Sequence, residues 1–315
     1  MMGINIGLFD FDRHNAIYYF VLNADEEIYL RYGGRDADSA TTYLNGESFD
    51  LALQLALEKH QKPREKRPKV KSFYPRDIVS LKEAVVETNR CVECHLIADY
   101  QAVELEELGE FFKPRDMYLS PDLKEVGIEL DVPRGLVVKS GPGLKEGDLI
   151  TGLNGSEVLT FADLQYQLNK VKREARKVEL KVVRGRDPFM VEIPLKLAWW
   201  VTDLRHRHWT VDPQLYFDAE PLGNEEKRAL KLPLDGFASK VRSVWVEAII
   251  NEAHSLEKGD VIMAVAGERV NPLTINVTTH LKLMVKAGGS TILSVLRDGK
   301  EIELSLKTGR PGFRK

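Results

Sequence analysis

Apolar and polar residues in the first part of the chain follow the pattern of two strands and a helix. The run AIYYFVL at 16–22 is rich in β-branched and aromatic residues, and EEIYLRYG at 26–33 alternates between apolar and polar. The Asn-Ala-Asp between them is typical of a turn. Leu51 and Leu55 then recur at helical spacing, with Ser48 as the predicted N-cap. Two strands and one helix are too few to close a core of their own.

A longer pattern is repeated in the second half of the chain. LKEGDLITGLNGSEV at 144–158 matches LEKGDVIMAVAGERV at 256–270 nearly residue for residue. Each copy is followed by a helical stretch, TFADLQYQLNKV or NVTTHLKLMVK, and then by a predicted pair of strands. The copies lie about 112 positions apart, which is the size of a domain rather than of a solenoid repeat. We expect two similar domains, and we call them repeat one and repeat two.

The order of features within each repeat resembles the bacterial PDZ module. A Gly-Asp pair precedes an apolar strand, and a tight turn, a helix and a hairpin follow. The residues that carry the resemblance are Gly147, Asp148, Asn154 and Gly155 in repeat one, and Gly259, Asp260, Ala266 and Gly267 in repeat two. The resemblance covers about 120–195 and 232–308, and it implies two partly open β-barrels with helices.

The resemblance also implies a function for the repeats. PDZ modules bind peptides by adding a strand to a sheet edge, with backbone N–H groups receiving a terminal carboxylate, so the implied partner is a protein C-terminus or an extended segment. The implied peptide-binding residues are Val126, Gly127, Ile128, Leu164 and Leu168 in repeat one, and Gly236, Phe237, Ala238, His280 and Leu283 in repeat two. The alternative is that one or both repeats are docking scaffolds without an open groove. In repeat one the segment KSGPGLKEGD is shorter than in many bacterial PDZ modules, which affects the expected shape of its groove.

The N-terminal pattern DFDRHNAIYYFVLNADEEIYLRYGGRD resembles the second half of a thioredoxin-like domain. With the repeats behind it, the chain resembles a bacterial family that joins a thioredoxin-like domain to PDZ modules and includes selenoproteins. In that family a Cys or selenocysteine motif lies upstream, so the resemblance assigns no redox residue to 1–60. The start MMGINIGLFDFDRHN is not a secretory signal. The hypothesis that follows is a truncated gene model whose missing part also holds the export signal, and the upstream DNA tests it.

The two cysteines of the chain lie together in TNRCVECHLIADY, at 88–100. A Cys-x-x-Cys-His motif is the attachment signature of c-type haem, in which Cys91 and Cys94 would bond the vinyl groups and His95 would ligate the iron. Met117 is a candidate sixth ligand. The helical segment around the motif has about 45 residues, a size at which a domain needs a covalent or metal staple.

Three alternatives stay open for these cysteines. A redox dithiol would use Cys91 and Cys94 at a helix start, with basic neighbours that favour the thiolate. A zinc site would need a further ligand, and the candidates are His206 and His208, which are distant in the sequence. The third alternative is a buried, inert thiol pair.

Composition narrows the function classes. A net charge of −3 over 315 residues provides no general basic field, so we expect no nucleic-acid partner. The basic stretch KPREKRPKVKS at 62–72 lacks interleaved aromatics and is predicted to be a linker. No apolar run reaches the ~18–20 residues of a membrane helix. No GxSxG-type nucleophile elbow or Ser/His/Asp arrangement indicates a protease.

The sequence therefore predicts an α+β multidomain chain. Its predicted parts are a thioredoxin-like remnant (1–61), a basic linker (62–72), a helical CxxCH module (73–118), repeat one (119–196), a Trp/His-rich connector (197–231), repeat two (232–309) and a tail (310–315). The predicted function is an exported redox or electron-transfer adaptor that carries haem c and recruits a protein partner through its repeats. The alternatives are a thiol-disulfide oxidoreductase and a non-enzymatic interaction scaffold. Haem attachment implies a periplasmic or other extracytoplasmic location, whereas a complete chain without it implies the cytoplasm.

Overall fold

The structure, a computed structural model, describes residues 2–13, 15, 17–62, 72–88, 92–202, 211–269 and 276–310. The chain divides into two compact units, of which one comprises 1–104 with 110–207 and the other 105–109 with 208–315. Repeat one lies in the first unit and repeat two in the second. Helices and several separate sheets occur together, which confirms the predicted α+β class. Most of the predicted linker and part of the predicted connector lie outside the described residues.

The N-terminal part of the first unit is an antiparallel hairpin followed by a helix. Strands β1 (Tyr18–Leu22) and β2 (Ile28–Gly33) pair, and helix α1 (Gly46–Gln61) comes after them, as predicted. The predicted cap was wrong, because Asn45 is the N-cap and its side chain accepts the Ser48 N–H at 2.8 Å. A hairpin with one helix does not by itself show a thioredoxin-like fold, so that assignment stays a prediction.

The CxxCH segment is helical, and it packs into one apolar cluster together with Ile6 of the N-terminal stretch. Helices α2 (Val79–Thr88), α3 (Cys94–Glu107) and α4 (Lys113–Asp116) follow one another. The side chains that form this core are Ile6, Ile78, Leu81 and Ile97, with Phe73, Val85, Val92, Leu96 and Tyr100 packed against them. The segment therefore closes an apolar cluster with side chains alone.

The two repeats contain corresponding elements in the same order. Repeat one consists of β3 (Glu129–Leu130), β4 (Val138–Ser140), β5 (Leu149–Leu153), β6 (Ser156–Glu157), α5 (Phe161–Asn169), β7 (Lys177–Arg184) and β8 (Asp187–Pro194). Repeat two consists of β9 (Phe217–Pro221), α6 (Asn224–Ala229), β10 (Ser239–Val244), α7 (Val246–Ile250), β11 (Val261–Val265), α8 (Val277–Met284), β12 (Ser290–Arg297) and β13 (Lys300–Lys307). Repeat two therefore starts upstream of the predicted boundary at 232, because β9 and α6 belong to it.

Strand pairing confirms that the repeats are built alike. Repeat two is one antiparallel sheet with the order β13-β12-β11-β10-β9. Repeat one has a sheet β6-β5-β7-β8 and a pair β3-β4, and an isolated bridge between Val137 and Leu149 connects the two. Accordingly β3 corresponds to β9, and β4 corresponds to β10. This is the order that the PDZ resemblance implies.

The repeated Gly-Asp pair has a structural role. The carboxylate of Asp148 receives two hydrogen bonds from Arg184, at 2.7 and 2.8 Å, and Asp260 receives the same pair from Arg297, at 2.8 and 2.7 Å. Each carboxylate also accepts a backbone N–H from the turn before it. The Arg184 contacts are the main reason that the pKa of Asp148 lies below its ordinary value. The motif therefore fastens a turn to a neighbouring strand and does not mark a catalytic site.

Candidate peptide-binding sites

The first strand of repeat two, β9, lies at one edge of its sheet. Strand β9 pairs with β10 on one side, and no strand among the described residues lies on its other side. The Leu222 N–H donates to the Ala238 carbonyl at 2.7 Å. Hydrogen bonds alternate along an antiparallel pair, so the N–H and C=O of Ala219 face away from β10. An edge of this kind is where an extended chain can add as a further strand.

The second outward-facing residue of β9 is Phe217. The carbonyl of its neighbour Tyr216 accepts the Trp245 N–H at 2.9 Å, so the backbone groups of Tyr216 face β10. Because the direction alternates along the strand, the backbone groups of Phe217 face away from β10. Asp218 holds the strand in place from the exposed side of the sheet, because its carboxylate accepts from the Ser243 hydroxyl at 3.0 Å and the Trp245 indole at 3.2 Å. The edge therefore offers two backbone positions on a strand that is fixed by its other contacts.

Helix α8 lies against β9 and forms the second wall of a groove. Phe217 and Ala219 pack in the same apolar cluster as Val277 and Leu281 of the helix. The loop before β9 is tied to the helix by an ion pair between Asp212 and Lys282, at 3.5 Å. A strand added to β9 would thus lie beside apolar side chains, with a fixed loop at the start of β9.

The structure corrects the predicted docking segment of repeat two. Gly236, Phe237 and Ala238 lead into β10, whereas the open edge belongs to the preceding strand, β9. The Phe237 N–H donates to the Arg269 carbonyl at 3.0 Å, and the Ala238 carbonyl is the acceptor for β9. A Cβ at Gly236 would lie 2.4 Å from the Arg269 carbonyl oxygen. Because β10 has strands on both sides, it cannot accept another. The alternating run YFDAEP in the unassigned connector was the sequence signal for β9.

The two helix residues predicted for repeat two do not line the groove together. His280 is only 3% exposed, its ring stands edge-on to Phe237 with centroids 4.7 Å apart, and Nε2 lies 3.8 Å from the Glu268 carboxylate. Leu283, three residues further along the helix, is only half-buried. Burial lowers the pKa of His280, and Glu268 only partly offsets this. His280 is therefore a neutral core residue at pH 7.

We expect His280→Leu to reduce the pH dependence of stability. Repeat one has Leu164 at the equivalent position, four residues after the helix N-cap. Because the folded-state pKa of His280 lies below 6.5, the unfolded chain binds the proton more readily, and stability falls as the pH drops below that value. The urea midpoint should fall less between pH 7 and pH 5 in the variant than in the unaltered protein. Equal falls in both proteins would contradict the assignment.

Four of the five residues predicted for repeat one lie in its interior, and Gly127 is exposed. Val126, Ile128, Leu164 and Leu168 are buried, and Gly127 ends a 3₁₀ turn in the left-handed region with φ of 76°. They surround the end of β3 and the inner face of α5, as the resemblance implies. Unlike α8, however, α5 is buried on both its inner and its outer face. The structure thus brings the four apolar side chains together without opening them to solvent.

The described part of the CxxCH motif is the start of α3. Cys94 is the first residue of the helix and is half-buried, His95 is exposed, and Cys91 lies outside the described residues. Met117 is only 2% exposed. The buried guanidinium of Arg13 lies within electrostatic range of Cys94: burial lowers the pKa of Arg13, while Asp10 and Cys94 act in the opposite direction. Cys94 therefore combines a helix N-terminus with a nearby positive charge.

Haem c does not fit the described residues well. His95 is exposed, so no enclosed pocket surrounds the proposed iron ligand, and the apolar cluster of this segment is already filled by side chains. Haem attachment stays a prediction from the sequence. No group of three or more His, Cys, Asp or Glu side chains that could hold a metal occurs in the described part of the chain. His206 and His208 fall outside that part.

Comparison with known proteins found only distant structural similarity. No protein-family model and no curated protein matches the chain. Among solved structures, a variant of the HtrA-type protease AlgW with a decapeptide is 15% identical, over 55% of this chain and 52% of that chain, with a TM-score of 0.29. AlgW with a tripeptide is 17% identical, over 55% and 57%, with a TM-score of 0.28. This chain thus spans little more than half the length of those proteins, and likeness at this level carries no conclusion about function. No helix among the described residues is long and apolar enough to cross a membrane.

Proposed function

We propose that the chain is a peptide-binding adaptor and that repeat two is its receptor. The observation that carries the proposal is the outer edge of β9, whose Phe217 and Ala219 backbone groups face away from β10 beside α8. An extended segment or a protein C-terminus would add there as a sixth strand. Main-chain hydrogen bonds would supply affinity, and alternate side chains would point towards the groove.

Peptide binding to the full chain tests this proposal. A phage-displayed library of random ten-residue peptides with free C-termini provides the probe, and fluorescence anisotropy of a labelled selected peptide measures its affinity. We expect saturable binding that is lost when prolines replace alternate residues of the peptide, because proline removes the N–H groups that an added strand donates. A matched peptide has its prolines at the intervening positions instead. It therefore keeps the set of N–H groups that the first peptide lacks. Equal binding by the extended and both proline-containing peptides would reject strand addition.

We also propose that the CxxC pair is a redox dithiol, so that the adaptor brings a thiol reaction to a bound partner. The position of Cys94 at the start of α3, with Arg13 nearby, favours this over the haem alternative. The dithiol of Cys94 and Cys91 would reduce a disulfide of the bound partner by thiol–disulfide exchange: the partner's disulfide becomes two thiols, and the two electrons come from the cysteines, which form a disulfide in their place. An extracytoplasmic location belongs to the haem prediction and is not needed for a dithiol.

The colour of the protein separates the two redox alternatives. Purified from a host with haem-maturation machinery, the chain should be colourless, and two thiols should react with a thiol reagent after mild reduction. Cys94→Ser should leave one reactive thiol and prevent the intramolecular disulfide. A Soret band that survives acid–acetone extraction would reject the dithiol proposal and restore covalent haem on Cys91 and Cys94.

A further inference from the structure

The groove of repeat one lies between the same elements as the groove of repeat two. Its walls are β3 and α5, and the loop before β3 runs from Asp122 to Gly127. No strand among the described residues pairs with the outer edge of β3. Residues 34–43 of the same chain occupy the space beside this loop and helix, and we call them the inserted segment.

The inserted segment contacts α5 at its first residue. Gly34 has φ of +104°, and a Cβ there would lie 2.7 Å from a ring carbon of Phe161 and 3.1 Å from Oε1 of Gln165. The Gln165 amide donates to the Arg35 carbonyl at 3.2 Å and to the Pro121 carbonyl at 3.3 Å. One buried side chain thus joins the helix, the inserted segment and the residue just before the loop.

The last residue of the inserted segment returns to the same helix. The Tyr43 ring stacks on Phe161 with an interplanar angle of 7° and centroids 3.3 Å apart. Strand β2, which leads into the segment, is fastened to the helix start, because the Arg31 N–H donates to Asp163 at 3.1 Å and the Thr160 hydroxyl donates to the Arg31 carbonyl. The segment therefore contacts the side of α5 that carries Phe161 and Gln165, the positions at which α8 of repeat two has Val277 and Leu281.

A carboxylate of the inserted segment meets the loop before β3. The side chain of Asp36 is 1% exposed and accepts from Lys124 Nζ at 3.2 Å. Asp38 lies 2.6 Å from the same ammonium. From the loop, the Asp122 side chain accepts the Ala37 N–H. The segment and the loop therefore hold each other through charges and backbone groups of both partners.

Asp36 is charged at neutral pH despite its burial. Burial alone would raise its pKa, but hydrogen bonds from the Ser39 N–H, the Thr42 hydroxyl and the Lys124 ammonium outweigh this and hold the pKa below its ordinary value. A buried charged carboxylate is stable only with such partners. Lys124 is thus the charge partner that Asp36 has outside the inserted segment, whereas Ser39 and Thr42 lie within it.

We infer that the inserted segment is the built-in ligand of repeat one, so that the groove of repeat one is closed to external peptides and repeat two alone receives them. This inference rests on the proposed function for the second half and adds a division of roles between the repeats. Sequence differences fit it: Gln165, which bonds the inserted segment, stands where repeat two has the apolar Leu281. The segment Gly34–Tyr43 has no counterpart before β9 within the described residues of the second unit.

Hydrogen exchange of the full chain, without any added peptide, tests the inference. Lys124→Ala removes the external charge partner at a half-exposed side chain, and Gln165→Leu removes the amide bridge; neither alters the internal turn of the segment. Amides of 34–43 should exchange slowly in the unaltered chain and about tenfold faster in either variant. The same variants should leave the exchange of β9 and the affinity of repeat two for its selected peptide unchanged.

Lys177→Ala is the matched control, because Lys177 forms an exposed ion pair with Glu192 in the same repeat. It should not change the exchange of 34–43. Fast exchange of 34–43 in the unaltered chain, or no response to both Lys124→Ala and Gln165→Leu, would overturn the inference. So would protection of 122–130 by the selected peptide in the unaltered chain. Failure of the peptide to bind β9 would reject the proposed function instead and would leave the exchange result standing.

Discussion

Ala219→Pro should reduce the affinity of the full chain for its selected peptide tenfold or more. The Ala219 amide faces the open edge of β9, so proline removes one hydrogen bond to the ligand and places its ring against the added strand. A net backbone hydrogen bond contributes about 0.5–1.5 kcal/mol, and about 1.4 kcal/mol corresponds to tenfold in affinity. The β10 ladder should survive, because Pro221 already occupies an outward-facing position of the same strand. Fluorescence anisotropy measures the change.

Glu303→Pro is the matched control on the opposite edge of the same sheet. The Lys307 N–H donates to the Ala253 carbonyl and so faces away from β12, and alternation along β13 places the Glu303 amide on the same outer side. This variant should bind the peptide normally. Ala219→Ser, which keeps the amide, should bind within about twofold of the unaltered chain. Normal binding by Ala219→Pro would show that the ligand does not add to β9.

Arg173→Met should cause the largest loss of stability in the first unit. Arg173 is only 8% exposed, and its guanidinium donates to the carbonyls of Pro114 at 3.0 Å and Tyr118 at 3.0 Å and to the Asn169 side chain at 2.7 Å. Its charge also lies 5.7 Å from the Trp199 ring centroid. Each buried acceptor left without a donor costs about 1–3 kcal/mol, so we expect a loss of about 3 kcal/mol or more.

Urea unfolding of the full chain measures this loss. Arg176→Met is the matched control, because Arg176 is exposed and only three residues away. It should change the free energy of unfolding by no more than about 0.5 kcal/mol. The two units can unfold separately, so both proteins are measured in a background in which Trp209 and Trp245 of the second unit are replaced by Phe. Tryptophan fluorescence then reports on the buried Trp199 and Trp200 of the first unit. If Arg173→Met changed the free energy of unfolding by less than about 1 kcal/mol, the hydrogen bonds of Arg173 would not stabilise the first unit as expected.

Periodicity and repetition predicted the elements whose signals are local. The hairpin and α1 follow from alternation and helical spacing, and the two repeats follow from one matched motif. The N-cap error at Ser48 arose because Asn45, three residues earlier, is equally suited to cap a helix. The Arg184 and Arg297 clamps could not be predicted, since the motif residues and their arginines lie on different strands and come together only when the sheet forms.

The candidate sites were less predictable than the elements. Strand β9 has only five residues, and its exposed positions are two acidic residues and a proline. It is also separated from β10 by α6, so its signal is weak beside that of β10. The closure of repeat one depends on contacts between positions more than a hundred residues apart, such as Arg35 with Gln165. No local pattern records such a contact. For the same reason the sequence left an open and a closed groove as alternatives for each repeat.

We expect external peptides to bind repeat two along β9 and not to bind repeat one. The most direct measurement is photo-crosslinking of the full chain with the selected peptide carrying a benzophenone at one end, followed by mapping of the crosslinks by mass spectrometry. Crosslinks should fall on residues 211–221 and 277–284 of repeat two. They should weaken in Ala219→Pro and persist in Glu303→Pro. Crosslinks to residues 122–130 or to α5 of repeat one would contradict the account.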